Sequence, residues 1–118
     1  IAPLPEMLQN GLCVALGTDG AASNNNLDLL EEMRLTAMIH KAQSYNPLAV
    51  PAAQALELAT LGGAKALGLN NTGLLQPGYK ADISLFDISG PHWYPRHNRI
   101  SLLTYSAGAA DVSTVINY

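Results

Sequence analysis

The sequence has no basic run, no long apolar block and only one cysteine. Its six Lys and Arg residues occur singly and the net charge is -3, which excludes nucleic acid and anionic membranes as main partners. No apolar stretch reaches the roughly 20 residues that span a bilayer, and the first residues lack the pattern of a targeting segment. Cys13 has no second cysteine to pair with, which favours a reducing, cytoplasmic setting.

Several common catalytic and ligand-binding motifs are also missing. The three histidines, His40, His92 and His97, show neither H-x-H nor H-E-x-x-H spacing, so we interpret them as structural or surface residues. Ser23 lacks the Gly-x-Ser-x-Gly context of a serine nucleophile. What is present is 48% hydrophobic residues over 118 positions, enough for one globular domain with a core.

The segment "LCVALGTDG", residues 12–20, carries the strongest functional signal. Leu12 to Leu16 is apolar without alternation, which predicts a buried strand of a parallel α/β sheet, with Cys13 inside it. The strand should end at Gly17, which places Asp19 at its carboxyl end, where ligands usually bind. Three interpretations stay open: a turn aspartate that caps backbone amides, a carboxylate that holds a metal or moves a proton, and a loop that cradles an anion.

Apart from the predicted strand over Leu12 to Leu16, the first 71 residues are predicted to be mainly helical. We expect a short helix over residues 3–10 that Gly11 ends, and a long helix that Asn25 or Asn26 caps and that runs to about Gln43, buried on more than one side. A third helix should begin at Pro51, break near Gly62-Gly63 and end at Gly68.

From residue 72 the pattern changes to strands and turns. Pro77-Gly78 predicts a type II turn of a β-hairpin, followed by an alternating strand around Ile83 to Leu85. Residues 100–106 should form a short helix and residues 111–118 a further strand that stops without a turn behind it. Trp93, Tyr94 and Arg96 lie in a loop, where we expect packing on a sheet edge or a subunit contact.

Four blocks together resemble a known family. They are "LGTDGAASNNNLDLLEEMR", "ATLGGAKALGL", "GLLQPGYKADISLFD" and "DVSTVINY", and in this order they are similar to the C-terminal third of the amidohydrolase superfamily. The branch they resemble contains methylthioadenosine and S-adenosylhomocysteine deaminases and related chlorohydrolases. The resemblance implies the α/β class, with a (β/α)8 barrel flanked by a β-sandwich. Residues 1–71 would supply the last barrel strand and outer helices, and residues 72–118 part of the sandwich.

The resemblance also implies a chemistry. Asp19 corresponds to the family's metal-binding aspartate, which holds zinc or another divalent ion and carries a proton, while Ser23 and Asn24 could line the pocket. The expected substrate is a small heterocycle, first an adenine-type ring that loses ammonia. Alternatives are a triazine that loses chloride or an alkylamine, a guanine-type or other ring that loses its amino group, or a non-catalytic assembly domain.

Most of the family's metal ligands have no counterpart in this sequence. The H-x-H pair, the further histidines and the proton-shuttle glutamate are all absent from residues 1–118. We therefore expect a fragment that alone neither binds metal tightly nor turns over substrate. It should expose large apolar patches and associate with itself, as a homo-oligomer or an aggregate.

Overall fold

The computed structural model describes all residues, 1–118. The helices are α1 (Leu4–Gln9), α2 (Ala21–Asn24), α3 (Leu29–Ser44), α4 (Ala52–Ala59), α5 (Leu61–Ala66) and α6 (Arg99–Tyr105). The strands are β1 (Ile83–Phe86) and β2 (Val112–Ile116), and short 3₁₀ turns occupy Pro91–Trp93 and Ala109–Asp111. None of these helices has both the length and the apolar character needed to cross a membrane.

The core lies where α1, α3 and α4 meet. It is a cluster of six buried side chains: Leu4, Met33, Ala37, Val50, Ala55 and Leu58. Helix α6 packs on α3 and α4, and the Thr104 hydroxyl donates a hydrogen bond to the Ala52 carbonyl oxygen at 3.3 Å. Arg34 on α3 donates to the Ala107 carbonyl oxygen. The second half of the chain is therefore anchored directly on the first.

The predicted strand over Leu12 to Leu16 does not form. These residues are neither helix nor strand, and one backbone bond, from Leu16 N–H to the Leu58 carbonyl oxygen at 3.3 Å, ties them to α4. A strand needs a neighbouring strand to accept its ladder bonds, and within this chain β1 pairs with β2 alone. The prediction that Cys13 is buried is also wrong, since its side chain is exposed.

Helix α3 begins at a different residue from the one expected. Asp28, and not Asn25 or Asn26, caps it, because the Asp28 carboxylate accepts from the N–H groups of Leu30 and Glu31 at 2.9 and 3.3 Å. Asn25 instead ends the unpredicted helix α2 in a left-handed conformation. The Asn26 oxygen Oδ1 instead accepts from the N–H of Asp28 at 3.3 Å, before the helix begins, and its nitrogen donates to Glu31.

One face of α3 remains uncovered. The sequence predicts burial on more than one side, yet Leu35 and Met38 are 53% and 55% exposed, while Met33 and Ala37 on the other face are buried. The cause is that no element of this chain packs against the Leu35 face. Leu12, Leu27, Leu48, Leu67 and Leu75 are likewise exposed, as expected of a chain with uncovered apolar faces.

The break between α4 and α5 lies at Thr60, two residues before the predicted break at Gly62-Gly63. Thr60 has φ -122° and ψ -86° and interrupts the helical ladder, so both glycines fall inside α5. Gly62 has a packing role here: a Cβ at this position would lie 2.7 Å from the Val14 carbonyl oxygen. Glycine thus lets α5 approach the segment that leads to Asp19.

Local signals in the second half were interpreted correctly, but the pairing of strands was not. Gly78 has φ +88° and Tyr79 N–H donates to the Gln76 carbonyl oxygen at 3.0 Å, which confirms the turn at Pro77-Gly78. The predicted hairpin around it is absent. Instead β1 pairs antiparallel with β2, in a register that places Ile83 opposite Ile116.

The three histidines have structural or surface positions, as predicted. His40 is buried on α3, and this burial lowers the pKa of its imidazole. His92 contacts Asp111 at 3.0 Å, and His97 is exposed.

The loop that contains Trp93, Tyr94 and Arg96 buries one aromatic side chain and exposes the other. Trp93 is buried, whereas Tyr94 is exposed. The Arg96 guanidinium carbon lies 4.2 Å from the centroid of the Tyr94 ring, in a cation–π contact. The subunit contact expected of this loop stays a prediction.

Candidate metal and catalytic site

Asp19 lies in the loop that joins residues 12–16 to α2. Its backbone is in the left-handed region, with φ +57°, a conformation that aspartate tolerates better than most residues with a side chain. The carboxylate is exposed and makes two local hydrogen bonds. Gly20 N–H donates to Oδ1 at 2.7 Å, and the Ser23 hydroxyl donates to Oδ2 at 2.9 Å.

These two bonds set the charge of Asp19. The Gly20 backbone amide first, and the Ser23 hydroxyl second, lower the pKa of the Asp19 carboxyl group below its ordinary value. The group is therefore a carboxylate at neutral pH. The bonds are those of a turn aspartate, but each carboxylate oxygen keeps a further lone pair. A local role in the turn and a role as a ligand are thus compatible.

A shallow polar depression of about 200 Å³ opens beside Asp19. The structure brings the three predicted site residues, Asp19, Ser23 and Asn24, together along it. The other lining residues are Gly17, Thr18 and Glu32, and none of the six is hydrophobic. Two carboxylates on one small surface repel an anion. The structure therefore disfavours the interpretation of this loop as an anion-binding site.

Glu32 is the residue of this depression that sequence reasoning missed. The Asn24 side-chain amide donates a hydrogen bond to Glu32 Oε1 at 2.7 Å. Glu32 lies in the first turn of α3, where an acidic residue is favoured near the positive end of the helix dipole, so its position on α3 does not by itself indicate a contact with α2. No spacing rule links residues eight positions apart on two different helices.

The donor set of this chain is too small for a complete metal site. The Asp19 carboxylate is exposed, anionic and of the oxygen type that zinc accepts. No group of three or more His, Cys, Asp and Glu side chains comes together anywhere in the structure. A complete tetrahedral site would need its other ligands from outside residues 1–118.

Comparison with known proteins identifies the family. The model of the amidohydrolase family matches residues 1–117. The chain belongs to this family. The resemblance inferred from the four sequence blocks is thereby confirmed.

A curated relative of this amidohydrolase chain indicates the branch. The chain is 58% identical over 116 residues to the 5-methylthioadenosine/S-adenosylhomocysteine deaminase of Pelotomaculum thermopropionicum. The match covers 98% of this chain but 27% of that deaminase. The chain thus spans about a quarter of the length of the curated relatives it matches.

Two solved structures share the fold of the matched region. One is an adenosine deaminase from Xanthomonas campestris with bound zinc, with a TM-score of 0.93 and 39% identity over 98% of this chain and 26% of that one. The other is the atrazine chlorohydrolase of Arthrobacter aurescens complexed with zinc, with a TM-score of 0.88 and 32% identity over 99% of this chain and 26% of that one. The α/β arrangement of this chain is therefore that of part of an amidohydrolase.

Proposed function

We propose that the chain is part of a metal-dependent hydrolase that deaminates an adenine-type ring, with Asp19 as metal ligand and proton carrier. The observation that carries the proposal is the exposed, ionised carboxylate of Asp19 at the edge of a wholly polar depression. Family membership supports it, as do the deaminase relative and the two zinc-bound neighbours. Alone, the 118 residues bring no three potential ligands together, so we expect neither tight metal binding nor turnover.

We further propose that residues 12–16 are the last strand of a (β/α)8 barrel. The segment is apolar, is neither helix nor strand, lacks a strand partner in this chain, and leads directly to Asp19. Residues 1–71 then supply this strand and its outer helices, and residues 72–118 contribute β1 and β2 to a composite β-sandwich. A cytoplasmic location and a homo-oligomeric assembly stay predictions.

Asp19 has two chemical roles in this proposal. A zinc or similar divalent ion, when bound, would lower the pKa of a water molecule so that hydroxide is available near neutral pH. The Asp19 carboxylate accepts a proton from the attacking water at one oxygen and passes it to the departing nitrogen. The Gly20 amide and the Ser23 hydroxyl hold the carboxylate in one orientation.

Ser23 and Asn24 belong to one wall of the substrate pocket. The depression measures about 200 Å³, less than the roughly 300–1,000 Å³ of complete small-molecule sites. The wall is polar throughout, which suits the hydroxyl and amino groups of a nucleoside better than an alkyl chain. The apolar surfaces that would enclose a ring must come from residues beyond this chain.

A second reaction fits the same machinery. Replacement of chloride on a triazine, or hydrolysis of a guanine-type ring, also needs an activated water and a carboxylate that moves a proton. The similarity to the atrazine chlorohydrolase favours this alternative. The 58% identity to a deaminase supports the adenine-type ring as the first candidate.

The experiment that tests the function is a substrate panel on the intact protein loaded with zinc. We expect ammonia release from 5′-methylthioadenosine, S-adenosylhomocysteine or adenosine, and no chloride release from atrazine. Chloride release without ammonia would support the triazine alternative. If the metal-loaded protein released neither ammonia nor chloride from any of these compounds or from guanine, the result would contradict a hydrolase. It would favour a non-catalytic assembly domain.

A further inference from the structure

We propose that Glu32 is a positioning residue that decides which hydrogen-bonding atom Asn24 offers to the substrate. The inference rests on the proposed function and extends it to substrate selection. The side-chain amide of Asn24 can face a ligand with its oxygen, which accepts, or with its nitrogen, which donates. Glu32 removes this choice, because its carboxylate accepts a hydrogen bond from Asn24 Nδ2 at 2.7 Å.

The chemistry of a carboxylate makes the orientation one-sided. An ionised carboxylate has acceptors only, so it stabilises the amide with nitrogen towards Glu32 and opposes the flipped amide. The Asn24 oxygen Oδ1 accepts no hydrogen bond from the protein and is left for a ligand. Glu32 itself is held by α3, whose start is fixed by the Asp28 cap. The contact is partly buried, which protects it from competition by water.

The other polar groups of the depression have the same character. The Thr18 hydroxyl donates to the Asp19 carbonyl oxygen at 3.1 Å. The Ser23 hydroxyl hydrogen is shared between Asp19 Oδ2 and the Gly20 carbonyl oxygen, both at 2.9 Å. Both hydroxyl hydrogens are therefore used within the protein. Among the side chains that line the depression, the groups left for a ligand are chiefly acceptors: the Asp19 carboxylate and Asn24 Oδ1.

The side-chain acceptors of this wall favour a ligand that carries donors. The chemical class is a substrate with N–H or O–H groups on the side that meets this wall, such as the hydroxyls of a nucleoside. A ligand that lacks the donor leaves the oxygen unpaired once it is desolvated, which costs affinity. Glu32 therefore contributes to specificity without contact with the reacting atoms.

The test compares Glu32→Gln with Glu31→Gln in the zinc-loaded intact protein. Glutamine at position 32 keeps the size of the side chain but can also donate, which allows the Asn24 amide to flip. Glu31 is the matched control, because it accepts from the Asn26 amide at 2.5 Å yet does not line the depression. Steady-state kinetics are measured on adenosine and on its 2′-, 3′- and 5′-deoxy analogues.

Glu32→Gln should raise KM for adenosine roughly 3- to 10-fold, the effect of one lost hydrogen bond, with kcat nearly unchanged. It should also shrink the preference over the one deoxy analogue that lacks the recognised hydroxyl. The double variant Asn24→Asp with Glu32→Gln restores the hydrogen bond with donor and acceptor exchanged. Its net charge equals that of the wild type. The introduced glutamine then donates to the introduced aspartate, which keeps one carboxylate oxygen facing the ligand. Both KM and discrimination should return towards their wild-type values.

Two results would overturn the inference in distinguishable ways. If the wild type hydrolyses no nucleoside, the proposed function fails and the role of Glu32 fails with it. If the wild type is active but Glu32→Gln matches Glu31→Gln on every analogue, the function stands and the positioning role is wrong. An equal loss on all four substrates that the double variant does not reverse would likewise show that Glu32 only ties α2 to α3.

Discussion

Asp19→Asn should lower kcat/KM of the intact, zinc-loaded protein for the proposed nucleoside substrate by roughly 10³-fold, the scale expected when a proton-transfer group is removed. Asparagine has nearly the same shape but neither the negative charge that holds a cation nor the basicity that takes a proton. One amide oxygen can still accept from Gly20 N–H or the Ser23 hydroxyl, so the turn should persist. Steady-state kinetics, zinc analysis and circular dichroism measure the three effects separately.

Asp28→Asn is the matched control for this substitution. Asp28 caps α3 and does not line the depression, and asparagine caps helices about as well as aspartate. We expect activity and zinc content close to those of the wild type. If Asp19→Asn kept wild-type activity, Asp19 would have no part in the mechanism, and the depression would have to be interpreted as a capped turn.

Gly62→Ala should destabilise the intact protein by about 1–3 kcal/mol, the usual cost of overpacking. The added Cβ would lie 2.7 Å from the Val14 carbonyl oxygen and 3.3 Å from that of Glu57. Both neighbours are backbone atoms, so neither can rotate away. The contact must open by moving residues 12–16 away from α5, and this segment leads to Asp19. We therefore expect kcat/KM to fall together with the denaturant midpoint.

Gly63→Ala provides the control for Gly62→Ala. It lies next along α5, and a Cβ there meets nothing within 4 Å. Alanine is the better helix former by up to about 1 kcal/mol, so this variant should match or exceed wild-type stability. Equal stability of the two variants in urea unfolding would show that the close approach of α5 to Val14 has no energetic weight.

The features predicted correctly from sequence depend on local interactions. Gly11 after α1 and Gly78 in the turn both have positive φ, a conformation that glycine adopts freely. The end of a helix often takes such a conformation, and the third position of a type II turn requires it. The closeness of Asp19 and Ser23 is also local, because four residues separate them across a single helical turn. Such contacts require no knowledge of distant parts of the chain.

The features predicted wrongly depend on distant or competing groups. Residues 12–16 have the composition of a buried strand, but a strand also needs a partner, and β1 pairs with β2 instead. Several residues before α3 are of types that cap helices. Asp28 is the one whose side chain accepts from the first N–H groups of α3, and the sequence alone does not distinguish it from Asn25 or Asn26. The contact of Glu32 with Asn24 joins two helices whose relative placement no periodicity encodes.

The central claim is that the Asp19 carboxylate is aimed at a divalent ion whose other ligands lie outside these 118 residues. An experimental structure of the intact protein with zinc tests it most directly. The account predicts one Asp19 carboxylate oxygen at about 2.0–2.2 Å from the metal, with the Ser23 hydroxyl still bonded to that side chain. Zinc held entirely by other residues, with both Asp19 oxygens bonded to the turn alone, would contradict it.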